Sequence, residues 1–94
     1  MASHAVRFEL HGALLVGSLT TEDHQGLCSW ELDAVLPTAL VSKLHPGDRL
    51  ELVMVIESGV ITQGEAIVDQ FMVGSRGNTF HARGDGGLDP WPDV

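Results

Sequence analysis

Apolar and polar residues alternate along much of the chain with a period of two, the spacing that an extended strand requires. The clearest stretch is Leu50–Glu57, where leucine, methionine and isoleucine at the even positions alternate with glutamate and valine at the odd positions. Turn signals such as His11-Gly12 and Ser58-Gly59 separate these stretches. The predicted strands are Ala5–Leu10, Ala13–Leu19, Leu27–Val35, Leu50–Glu57, Val60–Val73 and Thr79–Arg83.

Four segments depart from this alternation. Leu36–His45 is compatible with about two turns of helix, because Pro37 can occupy a first helical turn; an irregular connection is the alternative. Thr20–Gly26 is polar and is a predicted loop, and Gly64 inside the fifth strand predicts a bulge or bend. Residues 84–94 are rich in glycine, proline and aspartate and form a predicted tail. Residues 1–83 are therefore predicted to form an all-β domain, a small antiparallel barrel or sandwich of about six strands with one short helix.

The charge of the chain narrows the range of partners. It has 13 acidic and 5 basic residues among 94, for a formal net charge of −8. The basic residues are scattered, so the sequence offers no positive patch for nucleic-acid phosphates or for an anionic membrane. We therefore expect no specific nucleic-acid binding and no membrane binding. An acidic surface repels DNA, which is a useful property in a channel through which DNA must slide.

The residues that most often perform chemistry form no recognisable catalytic or metal-binding motif. Cys28 is the single cysteine, and it is a predicted inert, buried thiol because it shares a strand face with Trp30. The histidines lack metal-ligand spacing, and Glu22-Asp23-His24 is predicted to be solvated. Asp85–Asp89 has oxygen ligands and glycines but lacks the spacing of a calcium-binding loop. We expect no cofactor, no metal site and no enzymatic activity.

Self-association is predicted from apolar residues that lie outside the expected core. Val53 and Val55 share a strand face with Glu51 and Glu57, and either a second copy or the Leu36–His45 segment can cover this face. We favour a second copy. A glycine-containing loop is a further candidate, and so is the indole in the acidic tail, which is costly in water unless it docks. The predicted interface residues are Val53, Val55, Gly74, Arg76, Gly77, Asn78 and Trp91.

The second half of the chain resembles the tail-tube proteins of tailed bacteriophages. In that family a Gly-Glu-Ala strand with hydrophobic residues precedes a Thr-Phe ending with spaced glycines and a leucine. The matching residues here are Gly64-Glu65-Ala66-Ile67-Val68 and Thr79-Phe80 with Gly84, Gly86 and Leu88. The resemblance implies a virion component, assembled in the host cytoplasm, whose small β-barrels form homo-oligomeric rings around a DNA channel and contact other virion proteins. The chain is short for such a protein, so a neck or capsid-decoration component of similar fold fits its length equally well.

The middle of the chain also resembles a PilZ domain, a module that binds a cyclic dinucleotide. The matching residues are Pro46-Gly47-Asp48-Arg49-Leu50-Glu51-Leu52, followed by the Gly-Glu-Ala-Ile-Val strand. That family uses a pair of arginines near its start, and this chain has Arg7 alone there, without a bidentate partner for the second phosphate. Binding of a cyclic dinucleotide is therefore an alternative to the virion role.

Overall fold

Residues 2–92, the part of the chain that the computed structural model describes, form six strands and one short 3-10 helix. The strands are β1 (Ala2–Leu10), β2 (Ala13–His24), β3 (Leu27–Leu36), β4 (Arg49–Ile56), β5 (Ile61–Gly74) and β6 (Gly77–Gly84), and the helix is Thr38–Lys43. They close into a barrel in the order β1-β2-β3-β6-β5-β4, with every neighbouring pair antiparallel. The predicted small all-β barrel with one short helix is confirmed.

The two-residue alternation of the sequence places one face of each strand inside the barrel. In β4 the even positions from Leu50 to Ile56 are buried, whereas Glu51 and Val53 are exposed. The rings of Phe8 and Phe80 meet edge to face inside the barrel, with centroids 6.4 Å apart. These side chains form one hydrophobic cluster. The barrel interior is therefore a packed core and not a channel. Its largest fully buried side chains are Trp30, Phe8, Phe80, Leu19, Leu32, Leu36, Leu52, Met54, Val68, Thr21 and Thr62.

The second strand is longer than its apolar pattern indicates. The prediction that Thr20–Gly26 forms a loop is wrong, because β2 continues to His24 and pairs with β3 as far as Leu27. The turn is confined to Gln25-Gly26, and both residues have positive φ, 53° and 81°, as two-residue hairpin turns require. At the end of β2 the backbone still pairs with β3, but the side chains form no apolar face. The alternation of apolar and polar residues therefore does not reveal that the strand continues.

Gly64 does not mark a bulge. The register between β4 and β5 runs without a shift past Gly64, and the irregularity in β5 falls between Val68 and Gln70. A Cβ atom at Gly64 would lie 2.9 Å from a methyl carbon of Leu88 and 3.0 Å from the ring of Trp30. Glycine is needed there because two large side chains pack directly onto the backbone.

The Leu36–His45 segment forms a short helix that packs on the barrel. It adopts 3-10 geometry over Thr38–Lys43, and its buried Leu40, together with Leu44, joins the core. The amide of Asn78 donates to the carbonyl oxygen of Leu36 at 3.5 Å and to Oγ1 of Thr38 at 3.3 Å, so the start of β6 is tied to the helix.

The described part of the tail, residues 84–92, folds back onto its own barrel. It fills the gap between β3 and β5 that opens where β6 ends at Gly84, and the backbone of Asp89 makes two hydrogen bonds with Gln63 of β5. Leu88 is buried, and the indole N–H of Trp30 donates to the carbonyl oxygen of Gly86 at 3.0 Å. Residues 84–92 are thus part of the packed domain.

Candidate interaction surface

Aliphatic side chains form a row across the outside of the barrel, where a small soluble domain normally presents polar residues. Arg7 pairs in register with both Val16 and Val55, and Thr79 pairs with both Val35 and Met72. Val16 and Val35 line one surface depression, so the two halves of the row meet. We call this set the outer row; in order around the barrel it contains Val55, Arg7, Val16, Val35, Thr79 and Met72.

Three of the four apolar members of the outer row are exposed, and Val55 is half-buried. The exposed fraction is 55% for Val16, 56% for Val35 and 72% for Met72. Leu14 of β2 and Val53 of β4 each lie two positions from a member of the row and widen it. Their exposed fractions are 72% and 56%. Arg7 and Thr79 interrupt the row, and Val16 and Val35 are its adjoining apolar members. Exposed apolar patches on a soluble monomer typically mark contact sites.

One end of the outer row opens into a shallow depression between β1, β2 and β4. It has a volume of about 350 Å³, and we call it the groove. Its walls are Leu14 of β2 and Val53 and Val55 of β4, and Arg7 and Glu9 of the middle strand β1 lie between them. The Leu36–His45 segment does not cover this face, because Val53 remains exposed with that segment in place. Two candidates to cover Val53 and Val55 were the Leu36–His45 segment and a second copy, and the second copy is the candidate that remains.

The other end of the outer row is the hairpin that joins β5 and β6, residues 70–80, which we call the arm. In residues 2–92, positions 70–74 of β5 pair with β6 on one side and with no strand on the other. Met72 and Val73 are 72% and 68% exposed, and Phe71 packs partly against the core. Arg76 stands at the tip, and it makes no ion pair with any described residue. The arm is apolar along its sides and positively charged at its end.

The predicted interface residues divide into two groups. Val53 and Val55 wall the groove, and Gly74, Arg76 and Gly77 form the exposed tip of the arm. The other two predicted residues are engaged within the domain. Asn78 is 8% exposed and holds the 3-10 helix, so its proposed place on an exposed surface needs correction. Trp91 is half-buried and packs against the core of its own barrel.

Five exposed residues of this surface were not predicted from the sequence. They are Leu14, Val16, Val35, Met72 and Val73. The signal that can reveal them is a run of apolar residues without polar interruption, as in residues 13–16 and 71–73. Such a run is typical of a strand that is covered on both faces.

Two charged clusters lie elsewhere on the barrel. The guanidinium of Arg49 contacts carboxylates of both Asp85 and Glu65, the latter at 3.1 Å. The hydrogen bond to Asp85, followed by that to Glu65, raises the pKa of Arg49 above its ordinary value. This bridge fastens the start of the tail to β4 and β5, which is a structural role.

His81 lies between carboxylates on both of its neighbouring strands. Its Nδ1 is 2.5 Å from Asp69, and its Nε2 is 3.6 Å from Glu31. Desolvation of the ring opposes the charged form, but the hydrogen bond and charge of Asp69, with the charges of Asp33 and Glu31, outweigh it, so the pKa of His81 is raised. Within residues 2–92 no three His, Cys, Asp or Glu side chains lie where they can hold a metal ion.

Cys28 is exposed, and the prediction that it is buried is wrong. It lies beyond the barrel on the hairpin that joins β2 and β3, where it pairs with Asp23. Cys28 shares a strand face with Trp30 as expected, but at the position of Cys28 this face is no longer covered by the core. Local desolvation and the negative charge of Asp23 raise the pKa of the Cys28 thiol. A raised pKa disfavours the thiolate, the reactive form of cysteine.

Comparison of the chain with protein families, with curated proteins and with solved structures gave no match. None of the helical segments described is both long enough and apolar enough to cross a membrane.

Proposed function

We propose that this protein is a non-enzymatic virion component that self-associates, a small barrel repeated in the tail or neck of a tailed phage. The observation that supports self-association best is the outer row, which is exposed at Val16, Val35 and Met72. Removal of apolar surface from water contributes about 25 cal/mol per Å². A row that spans several strands therefore offers a driving force for association that a monomer leaves unused.

The packed interior decides where a DNA channel can lie in such an assembly. Side chains such as Phe8, Trp30 and Phe80 fill the barrel, so a channel can form only between copies arranged in a ring. The net charge of −8 suits the wall of that channel, since DNA is repelled and slides without binding. The phage setting itself rests on the resemblance of the Gly64–Val68 and Thr79–Leu88 segments to tail-tube proteins.

The arginines favour this role over binding of a cyclic dinucleotide. Arg7 lies between Val16 and Val55 on the outside of the barrel. Arg49 is already engaged by Asp85 and Glu65. Recognition of two phosphates requires arginines that are free and close together, since each phosphate is best held by a bidentate pair.

Sedimentation velocity and negative-stain electron microscopy over a concentration series test the proposal. We expect rings, or stacks of rings with an open lumen. A Val35→Glu variant should dissociate them, because it places a charge in the outer row; Leu27→Glu is the matched control, since Leu27 is 77% exposed but lies outside the row. A wild-type protein that stays monomeric up to about 1 mM, where association is worth only about −4 kcal/mol, would refute the proposal.

A further inference from the structure

The arm and the groove lie far apart on one molecule. Ile61, which pairs with Val55 of the groove, and Met72 of the arm lie near opposite ends of the 14-residue strand β5. They are about 35 Å apart along the strand at about 3.3 Å per residue. The longest dimension of the molecule is 39 Å. One copy therefore cannot place its own arm in its own groove.

The two surfaces complement each other in charge and polarity. Residues 70–80 include Arg76 and no acidic residue. The groove is lined by Arg7 as well as Glu9, and Glu51 precedes Val53 by two positions on the same face of β4, so acidic residues outnumber basic ones there. The apolar residues are Met72 on the arm and Leu14, Val53 and Val55 in the groove.

From this complementarity we infer that the arm of one copy docks in the groove of the next copy, in a head-to-tail contact. This inference rests on the proposed self-association and names the surfaces that produce it. Met72, on the outer face of β5, lies against the apolar side chains of the groove, and Arg76 pairs with Glu9 or Glu51. Each copy has one arm and one groove, and a contact between two different surfaces generates a ring where the rotation closes and a filament where it does not.

The surface of the molecule is large enough for this arrangement. A standard interface takes about 800 Å² from each partner. The accessible surface of the described chain is 5804 Å². An arm contact and a groove contact of that size together occupy roughly a quarter of the surface of each copy.

A mixing experiment with two variants tests the inference. The arm variant is Met72→Lys with Arg76→Ala, and the groove variant is Leu14→Lys with Val53→Lys, so the altered arm and the altered groove repel each other in a mixture. All four positions are exposed, so both variants should keep the circular dichroism spectrum of the wild type. Each variant alone should lose assembly, with its apparent dissociation constant raised at least about tenfold, because a charge must be buried in the contact.

The mixture separates a head-to-tail contact from a symmetric one. In an equimolar mixture the intact groove of the arm variant accepts the intact arm of the groove variant, so heterodimers should form and grow no further. The control Leu27→Lys should assemble as the wild type does. A mixture that stays monomeric, or assembly by either variant alone, would overturn the inference. A wild type that never associates would instead refute the proposed function on which the inference rests.

Discussion

Substitution of Gly84 by alanine gives the most stringent test of how the tail end of the barrel packs. Gly84 is the last residue of β6, and the indole of Trp30 lies directly over it. A Cβ atom at this position would overlap Nε1, Cε2 and Cδ1 of the ring. Gly84 has no positive φ, so its backbone can accept alanine and the overlap with Trp30 is the source of any loss.

The expected loss combines two costs and one gain. Overpacking of a core typically costs about 1–3 kcal/mol. Displacement of the indole also breaks its hydrogen bond to Gly86, which is worth about 1 kcal/mol net. Alanine lowers the entropy of the unfolded chain relative to glycine, a gain of about 0.4–1 kcal/mol. We therefore expect Gly84→Ala to lower the free energy of unfolding by about 2 kcal/mol, a large part of the stability of a small domain.

Gly74→Ala is the matched control for this substitution. Gly74 also ends a strand without positive φ, and a Cβ there meets Gly77 at an ordinary distance of 3.7 Å. Urea unfolding followed by far-UV circular dichroism should show Gly74→Ala within about 0.5 kcal/mol of the wild type or slightly more stable. The midpoint of Gly84→Ala should fall by roughly 1 M with an unchanged slope.

A background without the indole completes the test. In a Trp30→Leu protein the further change Gly84→Ala should cost nothing, because the overlapping ring is gone and the two sites couple through contact. Equal effects of Gly84→Ala and Gly74→Ala would refute the argument. So would a penalty for Gly84→Ala that persists in the Trp30→Leu background.

Two further predictions concern the tail and a titratable cluster. Leu88→Ala should lower the free energy of unfolding by about 2 kcal/mol or more, because Leu88 is 6% exposed in the core. Leu27→Ala, at 77% exposure, should stay within about 0.5 kcal/mol, and equal urea midpoints for the two variants would contradict tail packing. The raised pKa of His81 adds stability that is complete below the unfolded value of about 6.5 and is lost as pH rises through the higher folded value. The stability advantage of the wild type over His81→Gln should therefore be larger at pH 6 than at pH 8.5, and a difference independent of pH would contradict the cluster around Asp69.

The sequence predicted the strands well wherever one face is apolar and the other polar. β4 is the clearest example, because the even positions from Leu50 to Ile56 all enter the core. The pattern failed where backbone pairing continues without burial, as at the end of β2. It also failed at Gly64. Glycine is required there because Trp30 and Leu88, which both lie far from position 64 in the sequence, pack onto its backbone. Local spacing holds no information about contacts of that kind.

The exposed apolar residues on the outside of the barrel are visible in the sequence only in part, because local spacing describes one strand at a time. Val53 and Val55 stand out within one strand, because valine there occupies the positions between core residues. Val16, Val35 and Met72 become a surface only when the register of several strands brings them into one row. Register depends on every strand of a closed barrel at once, since a slip of one residue moves an apolar set to the opposite face.

The arm follows from the same register. β5 pairs with both β4 and β6. Because β5 has 14 residues and β4 has 8, β5 extends beyond the end of β4. The unpaired side of positions 70–74 is thus a consequence of unequal strand lengths, and the apolar residues Met72 and Val73 lie on that overhang. A barrel closed on itself removes the free edges through which open sheets aggregate. Two parts of the described sheet remain unpaired on one side: positions 70–74 of β5, and the hairpin that joins β2 and β3 beyond Thr21 and Glu31. The first of these is the apolar one with a basic tip, and in the contact that we propose each copy uses its arm once and its groove once.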